Sequence, residues 1–195
     1  MAHIAILGGG PAGYVAAIRA RQLGGEVTLV EMDELGGTCT NRGCIPSKAM
    51  LRSAEMAREA QELDQYGVEA EFKQVNWPKI IQRKNQVVTQ LRKGIEFLMK
   101  ERGVRVIRGK GRLAEPLVVE VETDGGREVV RAARVLLAVG SIPARLPLPG
   151  FDLAGVMTSD QILDIEKIPE SIVIIGAVPI GVEFADVFNS VGSEV

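Results

Sequence analysis

One strand–turn–helix pattern opens the chain and comes back at its end, and that recurrence restricts the fold more than any other feature. Ile4-Ala5-Ile6-Leu7, a short apolar run, leads into Gly8-Gly9-Gly10-Pro11-Ala12-Gly13 and then an alanine-rich helical stretch from Tyr14 to Leu23. Strand, glycine turn and helix thus come in the order a dinucleotide-binding βαβ unit requires. Gly8 permits the tight turn, Gly10 lets backbone approach a pyrophosphate, and Gly13 lets the helix pack closely on the strand. The helix N-terminus, at Pro11 and Ala12, offers N–H donors and partial positive charge to phosphates. A second strand, Val27-Thr28-Leu29-Val30, ends in Glu31, where a carboxylate can accept hydrogen bonds from ribose hydroxyls, with Met32 beside it. A glycine-rich turn without ligand is the plainer alternative.

Ile4–Val27 aligns on Ile172–Val195 without a gap: Gly8 meets Gly176, Pro11 meets Pro179, Ala12 meets Ile180, Gly13 meets Gly181 and Glu26-Val27 meets Glu194-Val195. Two nucleotide modules in tandem are implied, the second stopping at the start of its own second strand. The chain therefore reads as the N-terminal portion of a longer protein or a truncated product; chance likeness between two buried strand–helix units is the alternative. The second copy departs from its pattern at Val178, which stands where Gly10 stands in the first. A β-branched side chain there obstructs close approach of backbone to a pyrophosphate, which puts nicotinamide cofactor binding in doubt. Pro179 is less troubling, because proline is tolerated in a first helical turn.

The only two cysteines, Cys39 and Cys44, lie in Gly36-Gly37-Thr38-Cys39-Thr40-Asn41-Arg42-Gly43-Cys44-Ile45-Pro46-Ser47-Lys48, shortly after Glu31. That placement suggests a redox-active disulfide beside a cofactor. A bridge across so short a loop constrains the unfolded chain little, so its value is chemical rather than structural. Two unconnected thiols, or half of a zinc site, are the other readings; zinc needs more ligands, and His3 is the sole histidine. Hydrophobic residues at 46%, charged residues at 25% and a net charge of −2 exclude disorder and leave no basic footprint for nucleic acid. No apolar run approaches a membrane span, and the chain opens straight into its first strand without room for a signal peptide, so a cytoplasmic location is expected. A structural disulfide is hard to keep oxidised there, which favours a catalytic pair.

Pro46 suits the first helical position, and Ala49, Met50, Leu51, Ala54, Ala57, Ala60 and Leu63 recur near helical spacing, predicting a helix over about 46–65. Cys44 then precedes a helix N-terminus, whose partial positive charge suits a sulfur that must leave as an anion. A second helix is predicted over about 78–101, with Gly103 as its stop. Strands are predicted at 104–107, 118–121 and 134–139, with Asp124-Gly125-Gly126 as a hairpin turn. Pro143, Pro147, Pro149 and Gly150 mark a linker, dividing the chain into 1–148 and 149–195.

These motifs, with the Ala138-Val139-Gly140-Ser141 strand end and Gly181-Val182-Glu183-Phe184 in the second copy, resemble the FAD-dependent pyridine nucleotide–disulfide oxidoreductases. The cysteine motif is the specific part, and its Ile45 and Ser47 look most like the branch that oxidises dihydrolipoamide. Glutathione reductases more often carry Val and Lys there, and mercuric reductases share much of the motif. The resemblance implies an α/β, Rossmann-like three-layer ββα fold with the start of a second, similar domain. It implies FAD in the first module, held by Gly8, Gly10, Gly13 and Glu31, with Gly37 and Thr38 reaching the phosphates, Gly111 near the adenine, and Ala138, Val139, Gly140 and Ser141 along the dinucleotide. Val139 replaces the usual Thr. NAD would belong to the second module, at Gly176, Ile180 and Gly181. Lys48 would sit near the flavin, paired with Glu183. A substrate dithiol would attack Cys39, and Cys44 would pass electrons to FAD. Implied partners are a small dithiol such as dihydrolipoamide, a second copy in a homodimer and 2-oxo acid dehydrogenase complexes, with neither nucleic acid nor membrane. The family's base is a His–Glu pair from a C-terminal interface domain. His3, ahead of the first strand, does not fill that role, so this polypeptide alone is expected to lack full turnover, and a non-catalytic flavin-binding fragment is the competing reading.

Overall fold

The computed structural model describes residues 1–195. Its elements in chain order are β1 (His3–Leu7), α1 (Pro11–Gln22), β2 (Glu26–Glu31), α2 (Gly37–Arg42), α3 (Cys44–Glu59), a 3-10 turn at Leu63–Tyr66, α4 (Trp77–Glu101), β3 (Arg105–Arg108), β4 (Lys110–Glu115), β5 (Val118–Thr123), β6 (Gly126–Arg131), β7 (Arg134–Leu137), α5 (Ser159–Ile162) and α6 (Pro179–Ser190). The chain divides into two units, 1–41 with 89–142 and 42–88 with 143–195, the second division falling between Val88 and Thr89 in α4. No helix is long and apolar enough to cross a membrane.

The first unit is the three-layer ββα arrangement. Its parallel sheet has the order β3-β2-β1-β7, and β4, β5 and β6 form a separate antiparallel sheet. Side chains alternate across a strand, so a sheet covered on both faces reads as continuous apolar sequence. Ile6, Val27 and Leu29 face a core completed by Ala17 of α1 and by Ile95 and Met99 of α4. Ala5, Leu7 and Val30 face the opposite way, onto Val119, Val121 and Val130 of the antiparallel layer. Burying each of these larger side chains contributes about 1.5–3 kcal/mol.

The second unit is built around Met50 and Ala54 of α3, Trp77 of α4, Ile162 and Leu163 at α5, and Phe184, Val187 and Phe188 of α6. The Trp77 and Phe188 rings lie 5.7 Å apart between centroids. Trp77 Nε1 donates to the Ile165 carbonyl at 2.8 Å. The buried Lys84 ammonium donates to the Leu163 carbonyl at 2.8 Å and pairs with Asp164 at 2.5 Å.

Several expectations are corrected. α3 starts at Cys44 with Gly43 as its N-cap, so Cys44 lies in the first turn rather than ahead of it and Pro46 is the third helical residue. The first-turn N–H groups lack intrahelical acceptors, so proline costs nothing at that place either. The helix ends at Glu59, short of 65. The turn at Asp124-Gly125 does connect two strands, but the partner of β5 is β6, which the sequence reading missed together with β4. β7 stops at Leu137, leaving Ala138 to Ser141 beyond the strand. Ile172–Ile175 forms no ladder, only a parallel bridge of Ser171 to Glu194. That bridge has the register of His3 on Glu26 in the first copy. Its Glu194 N–H donates to the Glu170 carbonyl at 2.9 Å, as Glu26 donates to Ala2 at 3.0 Å.

Candidate functional site

In the first module the glycines divide by what requires them. Gly8 has φ +100°, and a Cβ on it would fall 2.1 Å from the Ala138 carbonyl oxygen. A Cβ on Gly13 would fall 1.8 Å from the Gly8 carbonyl oxygen. Turn geometry and helix-on-strand contact therefore demand these two. Gly10 is different: at φ −70°, ψ −175° it holds a conformation open to every residue, and a Cβ there meets nothing nearer than Gly37 Cα at 3.7 Å. Nothing in the protein requires glycine at that point; a ligand drawn against the backbone would. Gly10 caps α1 without a side-chain hydrogen bond, and the first turn holds no acidic residue. Pro11 and Ala12 in that turn are exposed.

Gly37, at the start of α2, adopts φ +58°, and a Cβ on it would lie 2.6 Å from Gly10 Cα, so the two backbones approach closely. Asn41 holds this loop: its Nδ2 donates to the Leu35 carbonyl at 3.1 Å and to that of Gly37 at 3.0 Å, while its buried Oδ1 has no partner in the protein. Asn41 has no sequence signature of its own beyond its place inside the cysteine motif. Thr38 is exposed in the first turn of α2.

Glu31 is buried, and both of its oxygens are engaged by the protein. Oε2 accepts from the Gly9 N–H at 2.6 Å and Oε1 from the Asp33 N–H at 2.8 Å. The carboxylate thus clamps the glycine turn, and each oxygen keeps lone-pair capacity. Met32 beside it is exposed. Gly111 lies in β4, where a Cβ would press on Val30 Cγ1 at 2.9 Å. Val139, Gly140 and Ser141 are exposed after β7.

In the second unit, Lys48 of α3 pairs with Glu183 Oε1 of α6, and the Ser47 hydroxyl donates to the other oxygen, Oε2, at 3.0 Å. Ser47 Oγ also lies 3.3 Å from the Cys44 carbonyl oxygen. One carboxylate is therefore gripped by adjacent residues of the helix that begins at Cys44. Packing of Phe184 into the core next to Met50 and Ala54 brings α6 against α3 and presents Glu183 to them. Cys39 is half-buried in α2, and Cys44 is exposed in the first turn of α3. No group of three or more His, Cys, Asp or Glu side chains is arranged to hold a metal. The His3 ring is committed to the sheet, with Nδ1 2.9 Å from the Arg131 carbonyl oxygen and Nε2 2.9 Å from Thr28 Oγ1.

The second module repeats the framework of the first. Gly176 has φ +112°, and a Cβ on Gly181 would lie 2.0 Å from the Gly176 carbonyl oxygen. Ile180 is exposed in the first turn of α6.

The profile of the pyridine nucleotide-disulphide oxidoreductases matches residues 2–195. A dihydrolipoyl dehydrogenase of Bacillus subtilis is 44% identical over 201 residues, covering 98% of this chain and 42% of the relative. One of Acholeplasma laidlawii is 43% identical over 198 residues, covering 99% of this chain and 58% of the relative. Among solved structures, the Cu(II) complex of the HOCl-induced flavoprotein disulfide reductase RclA from Escherichia coli aligns with a TM-score of 0.84 at 28% identity, over 98% of this chain and 41% of that one. This chain spans less than half the length of the B. subtilis enzyme it matches. From its glycine turn to the second module, it belongs to the pyridine nucleotide-disulphide oxidoreductase family.

Proposed function

We propose that the whole protein is a flavoprotein disulfide oxidoreductase that oxidises a small dithiol, dihydrolipoamide, through Cys39 and Cys44, with FAD in the first module. The observation that carries this reading is Gly10, a glycine that neither dihedral angle nor packing calls for, at the uncapped N-terminus of α1. Together with Gly37 opposite and the Glu31 carboxylate, these residues fit a dinucleotide pyrophosphate and ribose. The substrate assignment draws on the relatives, named dihydrolipoyl dehydrogenase at 40–44% identity.

In the oxidised pair, a substrate thiolate attacks Cys39 Sγ; the bond to Cys44 breaks, and Cys44 leaves as thiolate while a substrate–Cys39 disulfide forms. The second substrate thiol then attacks the substrate sulfur of that bond, giving the cyclic disulfide and returning Cys39 as a thiol. Two electrons have moved from substrate to the cysteine pair. FAD, when bound, supplies the two-electron exchange that reoxidises the pair. Lys48 pairs with Glu183, and Ser47 fixes the carboxylate so that the ammonium keeps one orientation. The base that deprotonates the dithiol is not His3, whose ring is engaged in the sheet. The reading includes a homodimer in the cytoplasm joined to 2-oxo acid dehydrogenase complexes. By the family's pattern a pyridine nucleotide would approach the second module at Gly176 and Gly181, where Val178 departs from the pattern of the first.

Purified whole protein should be yellow and should gain a long-wavelength charge-transfer band on two-electron reduction, which Cys44→Ser removes. Colourless protein that takes up no added FAD refutes the reading.

A further inference from the structure

Two copies of one motif share a backbone here and differ at the residue that caps the helix, Gly10 in the first and Val178 in the second. α1 begins after Gly10 at φ −70°, ψ −175°, and α6 begins after Val178 at φ −80°, ψ 169°. Both helices have proline first, no side-chain cap and no acidic residue in the first turn. The turn glycines match, with φ +100° at Gly8 and +112° at Gly176. The close approaches match too, with virtual Cβ distances of 1.8 Å at Gly13 and 2.0 Å at Gly181. In the second copy this position thus holds a β-branched residue on the same backbone as Gly10. What differs is the side chain at the helix start: in the first copy there is none, the atom nearest a Cβ being Gly37 Cα at 3.7 Å, and in the second Val178 carries one that is 64% exposed.

A pyrophosphate on a helix N-terminus must bring oxygens within about 3 Å of the first-turn N–H groups. A valine at the N-cap holds two γ-methyls over that approach, and its restricted χ1 leaves few ways to turn aside. It also removes water from the phosphates without offering a hydrogen bond in return. We infer that Val178 closes the second module to a dinucleotide seated by its pyrophosphate on α6, so that a pyridine dinucleotide is held weakly while the first module keeps its own. The residues of the second module therefore do not fit the pyridine nucleotide in the mode that those of the first fit FAD. This rests on reading the first module as a dinucleotide site.

The test is calorimetric titration of the whole protein and of its Val178→Gly and Val178→Ala variants with NADH, ADP-ribose and AMP, alongside the flavin absorbance of each. Val178→Gly should bind NADH and ADP-ribose about ten- to a hundredfold more tightly than the parent, the value of one or two restored charge-assisted hydrogen bonds. Val178→Ala should fall between. AMP, which has no pyrophosphate, should show no such gain. Equal NADH affinity in parent and Val178→Gly, in protein that is yellow and folded, overturns the inference and leaves the first-module reading standing. The reciprocal Gly10→Val should lose flavin while keeping its circular dichroism; parent protein without flavin would instead remove the premise.

Discussion

Replacing Glu31 separates the two roles its position suggests. If the carboxylate only met a ribose, the cofactor-free chain would not notice its loss. The structure gives it work in the protein, because Oε2 accepts the buried Gly9 N–H at 2.6 Å and Oε1 the Asp33 N–H at 2.8 Å. Hydrogen bonds to an ionised group contribute about 1.5–3 kcal/mol each, and a buried donor left unpaired costs about 1–3 kcal/mol. The Gly9 N–H is shut from water, whereas the Asp33 bond is only part-buried and water can replace it. Glu31→Ala should therefore destabilise the cofactor-free chain by about 2–4 kcal/mol, most of it from Gly9. For a chain of this size that lowers Tm by roughly 5–15 °C. Glu31→Gln keeps one acceptor oxygen and should lose about half as much. Urea titration followed by circular dichroism, without added FAD, reads both. A Glu31→Ala midpoint within about 0.5 kcal/mol of the parent would refute the clamp and leave the carboxylate a ligand contact alone.

Gly13→Ala drives a methyl onto the Gly8 carbonyl oxygen, 1.8 Å away, and should cost about 3 kcal/mol in urea melts. By contrast Gly94, exposed in α4 with nothing within 4 Å of a Cβ, should gain about 0.5–1 kcal/mol as Ala. Ser47→Ala removes a buried hydroxyl that donates to Glu183 Oε2 and should cost about 1 kcal/mol in the same assay, with no loss expected from Ser47→Thr beyond a few tenths. In the antiparallel sheet, the hydrogen bond from Arg127 and the charges of Arg112 and Arg127 hold the Glu120 carboxyl below its ordinary range. Its stabilisation is present at neutral pH and fades as pH falls through its folded value, so the gap between parent and Glu120→Gln in urea midpoint should shrink on acidification; a gap that persists in acid contradicts the pairing.

The first module was legible because its strand, glycine turn and helix are consecutive and both faces of its sheet are buried, which leaves continuous apolar runs in the sequence. β4 and β6 escaped notice for the opposite reason. Lys110-Gly-Arg-Leu-Ala-Glu115 and Gly126-Arg-Glu-Val-Val-Arg131 are outer strands of a small sheet, largely exposed, and their charges mask the alternation. The start of α3 was misjudged because Pro46 resembles a first helical residue, yet Gly43 caps the helix two residues earlier and proline is equally free of cost in the third position. Ser47 and Asn41 had no local signature. Their roles come from what α6 and the 34–37 loop bring to them, and only tertiary packing supplies that.

The duplicated motif separates two demands that a single glycine fingerprint confounds. Gly8 and Gly13 recur as Gly176 and Gly181 because a turn at positive φ and a helix pressed onto a carbonyl admit no side chain, whatever the module binds. Gly10 does not recur, and the backbone at Val178 is unaltered by the change. Fold retention in the second copy is therefore no warrant for ligand retention, since the residues that shape the turn and the one that clears the approach answer to different forces. A substitution at the first pair should appear in unfolding free energy with or without cofactor. One at Gly10 or Val178 should move unfolding free energy by no more than a glycine's chain entropy, about 1 kcal/mol, without a dinucleotide, and by more when one is present.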